Sequence, residues 1–234
     1  MRDAPLILVP GLLCTADLFA AQIAALGSGR DVTVADHGRD TTLAAIAERL
    51  LAVGPERFAL AGLSMGGYVA MEVMRRAPDR VTRLMLMDTT ARPDTAEQTE
   101  TRHQLMDQAR VGRFDRILPA LYPRFVHERR LDDRALRAAV ARMAADTGAD
   151  AFIRQQQAII ARPDARPHLP AIACPTTIVV GDGDRLTPPD LAREMRDLIP
   201  GSRLEIVPDC GHLAPLEAPQ RVAALMRDWL AGNA

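Results

Sequence analysis

Short apolar runs alternate with amphipathic stretches along most of this chain. The runs cover residues 6–9, 32–35, 58–63, 84–87, 177–180 and 204–207. Each is too short for a buried helix, and turn-forming residues bound most of them. Between them one-face positions recur at helical spacing: Leu18, Gln22, Ala25 and Leu26; Leu43, Ile46, Ala47 and Leu50; Val69, Val73 and Met74; Val222, Leu225, Met226 and Trp229. Strands that are apolar throughout need covering on both faces. The pattern therefore predicts an α/β fold, a mostly parallel sheet of about six strands flanked by helices. Thr187-Pro188-Pro189-Asp190 reads as a helix start with Thr187 as N-cap, the helix running to Ile199.

The alternation stops between residues 92 and 168, where only helical segments are read, notably 131–145 and 149–161. Leu136, Val140 and Met143 share one face there, as do Phe152, Gln156 and Ile160. This divides the chain into a core, residues 1–91 and 169–234, and a helical cap or lid, residues 92–168.

Composition narrows the chemistry. Of 234 residues, 29 are basic and 30 acidic, without long runs of like charge, so nucleic acid is not an expected partner. Every cation is arginine: the chain has no lysine, which excludes Schiff-base chemistry and a Walker A lysine. Without a leader-like start or a run of about 20 apolar residues, the expectation is a cytoplasmic protein that does not enter membranes. Cys14, Cys174 and Cys210 fit no disulfide framework and are expected as free thiols. Cys210 and His212 lack the companion spacing of a metal site, so neither metal nor cofactor is expected.

The sharpest local signal is Gly62-Leu63-Ser64-Met65-Gly66-Gly67, directly after an apolar run and opening a helical stretch. It is a GxSxG motif in the strand-turn-helix setting the motif requires. A nucleophile on so tight a turn needs neighbours without β-carbons two places before and after, and Gly62 and Gly66 meet that need. The chain has three serines. At average glycine usage the chance of one being flanked this way is roughly 1–2%, so an incidental turn is the weaker explanation.

A serine hydroxyl needs a base. Of five histidines, only His212 lies in a loop between the last apolar run and the last helix, at the expected sheet edge beside Ser64. His103 and His127 fall in the cap as surface groups, and His37 remains a pocket-lining alternative. The imidazole needs an acid, which chain order places between Ser64 and His212. Asp184, after the run 177–180, is the choice; Asp88 is the alternative, and Asp182 is expected to serve its own turn. The oxyanion of acyl transfer needs two donors, read as the backbone N–H groups of Met65 and of Leu12, since Pro10 has none to give.

The segments LVPGLL, GLSMGG, GDGDRLTPP and CGHLAPLEAP together resemble the α/β-hydrolase superfamily, in its lidded esterase-like branch, over essentially the whole chain. The resemblance implies Ser64, Asp184 and His212 as a triad, Leu12 and Met65 as oxyanion donors, and a helical cap. Two departures stand out. Pro10-Gly11 replaces the His-Gly of many members, and the chain starts at what would be the family's third strand, so a trimmed six-stranded sheet is expected.

The resulting expectation is a serine hydrolase that cleaves a small or medium apolar carboxylic ester, a small-molecule substrate, through an acyl-enzyme. The cap residues proposed to face the pocket are Leu105, Met106, Leu118, Leu121, Tyr122, Phe125, Phe152 and Ile160. Thioester, lactone or carbon–carbon bond cleavage would use the same residues, and Arg102, Arg110, Arg113, Arg116 and Arg124 offer cations for a carboxylate-bearing substrate. The reading from another class is a non-catalytic small-ligand binding protein on the same fold, against which the intact Ser, His and Asp argue.

Overall fold

The computed structural model describes residues 4–232. Six strands form one sheet: β1 (Leu6–Val9), β2 (Val32–Val34), β3 (Phe58–Leu63), β4 (Val81–Met87), β5 (Thr176–Gly181) and β6 (Arg203–Val207). They pair in parallel throughout, in the order β2-β1-β3-β4-β5-β6. The apolar runs read from the sequence coincide with them. β4 begins three residues before its run because Thr82 and Arg83, half-buried at the sheet's end, interrupt the apolar signal.

The helices are α1 (Ala20–Leu26), α2 (Leu43–Val53), α3 (Met65–Arg76), α4 (Ala96–Arg110), α5 (Ile117–Phe125), α6 (Arg134–Ile160), α7 (Pro189–Leu198), α8 (Ala214–Glu217) and α9 (Pro219–Ala231). Strand period sorts the core into two layers. Ile7, Val9, Leu60, Leu84, Leu86, Ile178 and Val180 pack with α2, α3 and α7 on one face. Leu6, Leu8, Ala61, Leu63, Met85, Met87 and Val179 pack with Leu18, Val222, Met226 and Trp229 on the other.

Between β4 and β5 there is no strand among the described residues, only helices. α6 is two arms meeting at Gly148, whose φ of 73° and ψ of 167° are not helical, so the two helices expected from the sequence join there. Leu136, Val140 and Met143 are buried with Tyr122 and Phe125 against the sheet-side core. Phe152 lies in a small separate core with Leu13 and Ile117. On that arm Gln156 and Ile159 are buried, while Ile160, expected on the same face, is half-buried. No helix among the described residues is long and apolar enough to cross a membrane.

The strand order positions the site. β1 has β2 on one side and β3 on the other, so the chain leaves this pair in opposite directions and opens a crevice at their carboxyl ends. The loop after β1 carries Leu12, and the turn after β3 carries Ser64.

Candidate active site

Ser64 sits between β3 and α3 with φ 54° and ψ −115°, a conformation that side chains rarely adopt. The turn is tight enough that a β-carbon on Gly62 would collide with the Gly66 carbonyl, and one on Gly66 with the Val9 carbonyl. Gly67 likewise lets α3 approach Thr89. The turn is tied down by Ser64 N–H donating to the Met87 carbonyl at 2.9 Å. The Thr89 hydroxyl donates to the Ser64 carbonyl at 2.8 Å.

A continuous chain of hydrogen bonds starts at this serine. Ser64 Oγ lies 2.9 Å from His212 Nε2, and His212 Nδ1 lies 2.8 Å from Asp184 Oδ2. A carboxylate only accepts, so Nδ1 carries the hydrogen and Nε2 offers its lone pair to the serine. Asp184 Oδ1 accepts from the backbone N–H of Leu186 at 2.8 Å and of Thr187 at 3.0 Å, and Oδ2 also accepts from the Thr187 hydroxyl at 2.7 Å. Burial pushes this carboxyl up, but the His212 charge and these hydrogen bonds together outweigh it and hold Asp184 below the usual carboxylate range.

Two sequence expectations change here. Thr187 does not cap α7; Pro188 occupies that position without a side-chain cap, and the threonine is drawn to Asp184 instead. The Asx-type turn expected of Asp182 is made by Asp184, while Asp182 Oδ1 accepts from Cys210 N–H at 3.2 Å and steadies the histidine loop. The alternative acid, Asp88, is fully buried but bonds elsewhere: it accepts from Gly181 N–H at 2.9 Å and Ala214 N–H at 3.3 Å. Burial, then the nearby Asp184 charge, push its carboxyl well above the ordinary value.

The histidine loop has a further anchor that the sequence did not suggest. Glu217 Oε1 accepts from the N–H groups of Gly211 and Leu213, both at 3.1 Å, and Oε2 from His127 N–H at 2.7 Å. His212 N–H donates to the Phe125 carbonyl at 3.1 Å. The loop that presents the imidazole is thus stitched to the insertion at residues 125–127. His127, expected as a free surface group, instead has Nδ1 accepting from Arg129 N–H at 3.2 Å, whereas His103 is exposed on α4.

Leu12 lies in the turn after β1, and Met65 directly follows Ser64 as the first residue of α3. Neither N–H has a protein acceptor among the described residues. Ser64, His212 and Leu12 line a cavity of about 540 Å³ whose roof is the helical insertion. Of the apolar residues expected there, Leu105, Leu121 and Phe125 line it; Met106, Leu118, Tyr122, Phe152 and Ile160 do not. Of the arginines, Arg102 and Arg124 line it and Arg110, Arg113 and Arg116 do not, whereas Arg92 and Arg162, which no periodicity marks, do. Cys14 is also in the wall. Burial pushes its thiol up to about 12, so it stays protonated and is no rival nucleophile.

Known proteins share this architecture. The chain is 30% identical over 208 residues to a pimeloyl-[acyl-carrier protein] methyl ester esterase of Aromatoleum aromaticum, covering 83% of this chain and 82% of the relative. A thermophilic esterase from Thermogutta terrifontis, solved with malate bound, superposes with a TM-score of 0.88 at 30% identity, covering 98% of this chain and 90% of that one. The enol-lactonase from Burkholderia xenovorans LB400 shares the fold with a TM-score of 0.87 at 24% identity, over 98% of this chain and 92% of its own. The model of the alpha/beta hydrolase fold family matches residues 4–219, and the chain belongs to that family.

Proposed function

We propose that the protein is a serine hydrolase that cleaves a small or medium carboxylic ester through an acyl-enzyme. The observation that carries this reading is the unbroken chain from Ser64 Oγ to His212 Nε2 at 2.9 Å and from His212 Nδ1 to Asp184 Oδ2 at 2.8 Å, at the floor of a cavity. His212 Nε2 takes the Ser64 proton as Oγ attacks the ester carbonyl, and the Leu12 and Met65 N–H groups face the oxyanion. Asp184 stabilises the imidazolium without taking its proton. His212 then protonates the departing alkoxide, leaving Ser64 acylated. Water, deprotonated by the same Nε2, attacks the acyl carbon. Collapse of the second tetrahedral species frees the acid and restores the serine. Residues 92–168 act as a cap that shapes the cavity and excludes water during these steps.

A fluorophosphonate probe that forms no adduct with Ser64 in folded protein overturns this reading. Nitrophenyl esters of rising chain length, beside lactones and acyl-thioesters, rank the substrate classes, and Ser64→Ala should reduce turnover to background.

One observation favours a carboxylate-bearing ester. The residues lining the cavity include four arginines against one acid, Glu97; Arg92 is paired with Glu194 at 2.9 Å, which leaves Arg102, Arg124 and Arg162. Arg124 has no acid partner among the described residues, and Asp94 is shared between Arg102 at 2.6 Å and Arg162 at 2.7 Å, which leaves that nearly buried network with excess positive charge. A distal carboxylate would compensate it. The malate held by the Thermogutta esterase is an anion of this kind. On this reading nitrophenyl hemisuccinate is hydrolysed with a higher kcat/KM than the butyrate ester, and Arg124→Gln abolishes the difference.

A further inference from the structure

The loop that carries Leu12 is gripped from behind by two side chains that do not reach the serine. His37 and Gln155 are both buried, at 4% and 1% exposure. His37 Nε2 lies 2.9 Å from the Gly11 carbonyl oxygen, and Gln155 Oε1 accepts from Leu13 N–H at 3.2 Å. Cys14 N–H also donates to the Gly11 carbonyl, at 3.1 Å. Resting on the hydrolase reading above, we propose that His37 and Gln155 are positioning residues for the oxyanion hole, holding the Leu12 N–H toward Ser64 by fixing the peptide that carries it and the one that follows.

The reason is geometric. The Gly11 carbonyl and the Leu12 N–H belong to one planar trans peptide and point in opposite directions, so a bond to the oxygen fixes where the N–H aims. That peptide lies against the nucleophile: a β-carbon on Gly11 would sit 3.3 Å from Ser64 Cβ. Leu13, the next residue, has φ 61°, a strained value for leucine that surrounding contacts must impose. The Gln155 bond to its N–H is such a contact.

Leu13 N–H can only donate, so the Gln155 atom facing it is the oxygen and its amide nitrogen is the group 3.1 Å from His37 Nε2. Burial lowers the His37 pKa, so the ring is neutral and has one proton for two nitrogens. A carbonyl cannot donate, and a ring lone pair facing the Gly11 oxygen at 2.9 Å would be repulsive. Donation to the Gly11 carbonyl requires the proton on Nε2; the Gln155 amide nitrogen then faces that N–H and makes no bond to it, so Gln155 acts on the loop through Leu13 alone. Because Gln155 belongs to α6, the roof of the cavity and the oxyanion loop are joined, and displacing that arm would release the Leu13 N–H.

The test uses the full chain with nitrophenyl butyrate, a trifluoromethyl ketone that forms a tetrahedral adduct with serine, and butyrate as a ground-state inhibitor. His37→Phe keeps the ring and loses the donor. It should lower kcat roughly 10- to 100-fold, less than the loss of a whole oxyanion donor. KM and butyrate affinity should stay within about twofold, and ketone affinity should fall by the same factor as kcat/KM. His37→Gln should recover part of the loss. Gln155→Met should show the same pattern at smaller size. If His37→Phe does not fold, Gln155→Met and nitrogen-edited NMR of the wild type, which should find the Nε2–H tautomer of His37, decide the matter. Equal losses in ketone and butyrate affinity, unchanged kcat in both variants, or an Nδ1–H tautomer overturn the proposal. Wild-type turnover of nitrophenyl butyrate tests the hydrolase reading separately, and the His37 tautomer is measurable whatever that rate is.

Discussion

The Thr187 hydroxyl donates to the same oxygen of Asp184 that bonds His212, at 2.7 Å, and itself lies 3.3 Å from His212 Nδ1. The hydroxyl shares out the negative charge that steadies an imidazolium. Removing it leaves Oδ2 bonded to His212 alone and less firmly placed. Thr187→Val should lower kcat by roughly 3- to 10-fold, within the reach of one charge-assisted hydrogen bond. Thr187→Ser should restore it; a kcat unmoved in Thr187→Val would show that the hydroxyl serves only the turn.

The two buried aspartates should separate cleanly by mutation. Asp184→Asn removes the acceptor that fixes the His212 tautomer and should cut turnover of an activated ester by about 10³- to 10⁴-fold with little change in fold. Asp88→Asn, whose native contacts are Gly181 N–H and Ala214 N–H, should change kcat by less than about tenfold. Steady-state kinetics with circular dichroism of both proteins decides between them, and a reversed order would move the acid to Asp88.

Much of this arrangement was legible in the sequence because it is local. Strand period, the glycines around Ser64 and the order of Ser64, Asp184 and His212 each depend on a few adjacent residues or on chain order. What escaped depends on pairs far apart. Gln155 meets Leu13 across 142 residues and Glu217 meets His127 across 90, and nothing in their own segments distinguishes a buried tether from an exposed polar residue. Thr187 was misread for a related reason. Thr-Pro-Pro-Asp is a sound helix start, but a nearby buried carboxylate is a better acceptor of its hydroxyl than the helix is a donor to it. The pocket-facing residues were the least legible. Helical periodicity finds the buried face of a helix in the insertion but does not say whether that face covers a cavity or other packed side chains, as Tyr122 and Phe152 show.

Glu217 ties the histidine loop to the insertion with three accepted hydrogen bonds, two on one oxygen and one on the other. An amide in its place can accept on only one side. Glu217→Gln should therefore leave either His127 N–H or the Gly211 and Leu213 N–H groups facing an NH₂, at a cost of about 1–3 kcal/mol. The cheaper choice keeps the two bonds to the loop and gives up the single one to His127. The expected result is a lower melting temperature, with limited proteolysis entering first near residues 125–130. Cleavage confined to other segments would show that Glu217 is not what holds that junction.

Asp88 makes stability depend on pH in a direction opposite to that of Asp184. Its native pKa lies well above the ordinary 3.8, so between the two values the folded protein holds a proton that the unfolded chain has released. Stability then falls as the pH rises through that window, by up to about 1.4 kcal/mol per pH unit, and levels off above the native pKa. Asp184, depressed in the native state, stabilises the fold above its unfolded pKa, and that contribution is lost as the pH falls through the native value. In the acid range the two oppose each other; above it Glu217, whose carboxyl burial also pushes up, adds to the Asp88 slope, and His37, whose pKa burial lowers, opposes it. Urea midpoints measured at intervals from acid to neutral pH, in the wild type and in Asp88→Asn, isolate the Asp88 share of the slope. The wild type should lose more stability per pH unit than Asp88→Asn, because the asparagine has no proton to lose, and equal slopes in both proteins would remove Asp88 from the pH dependence.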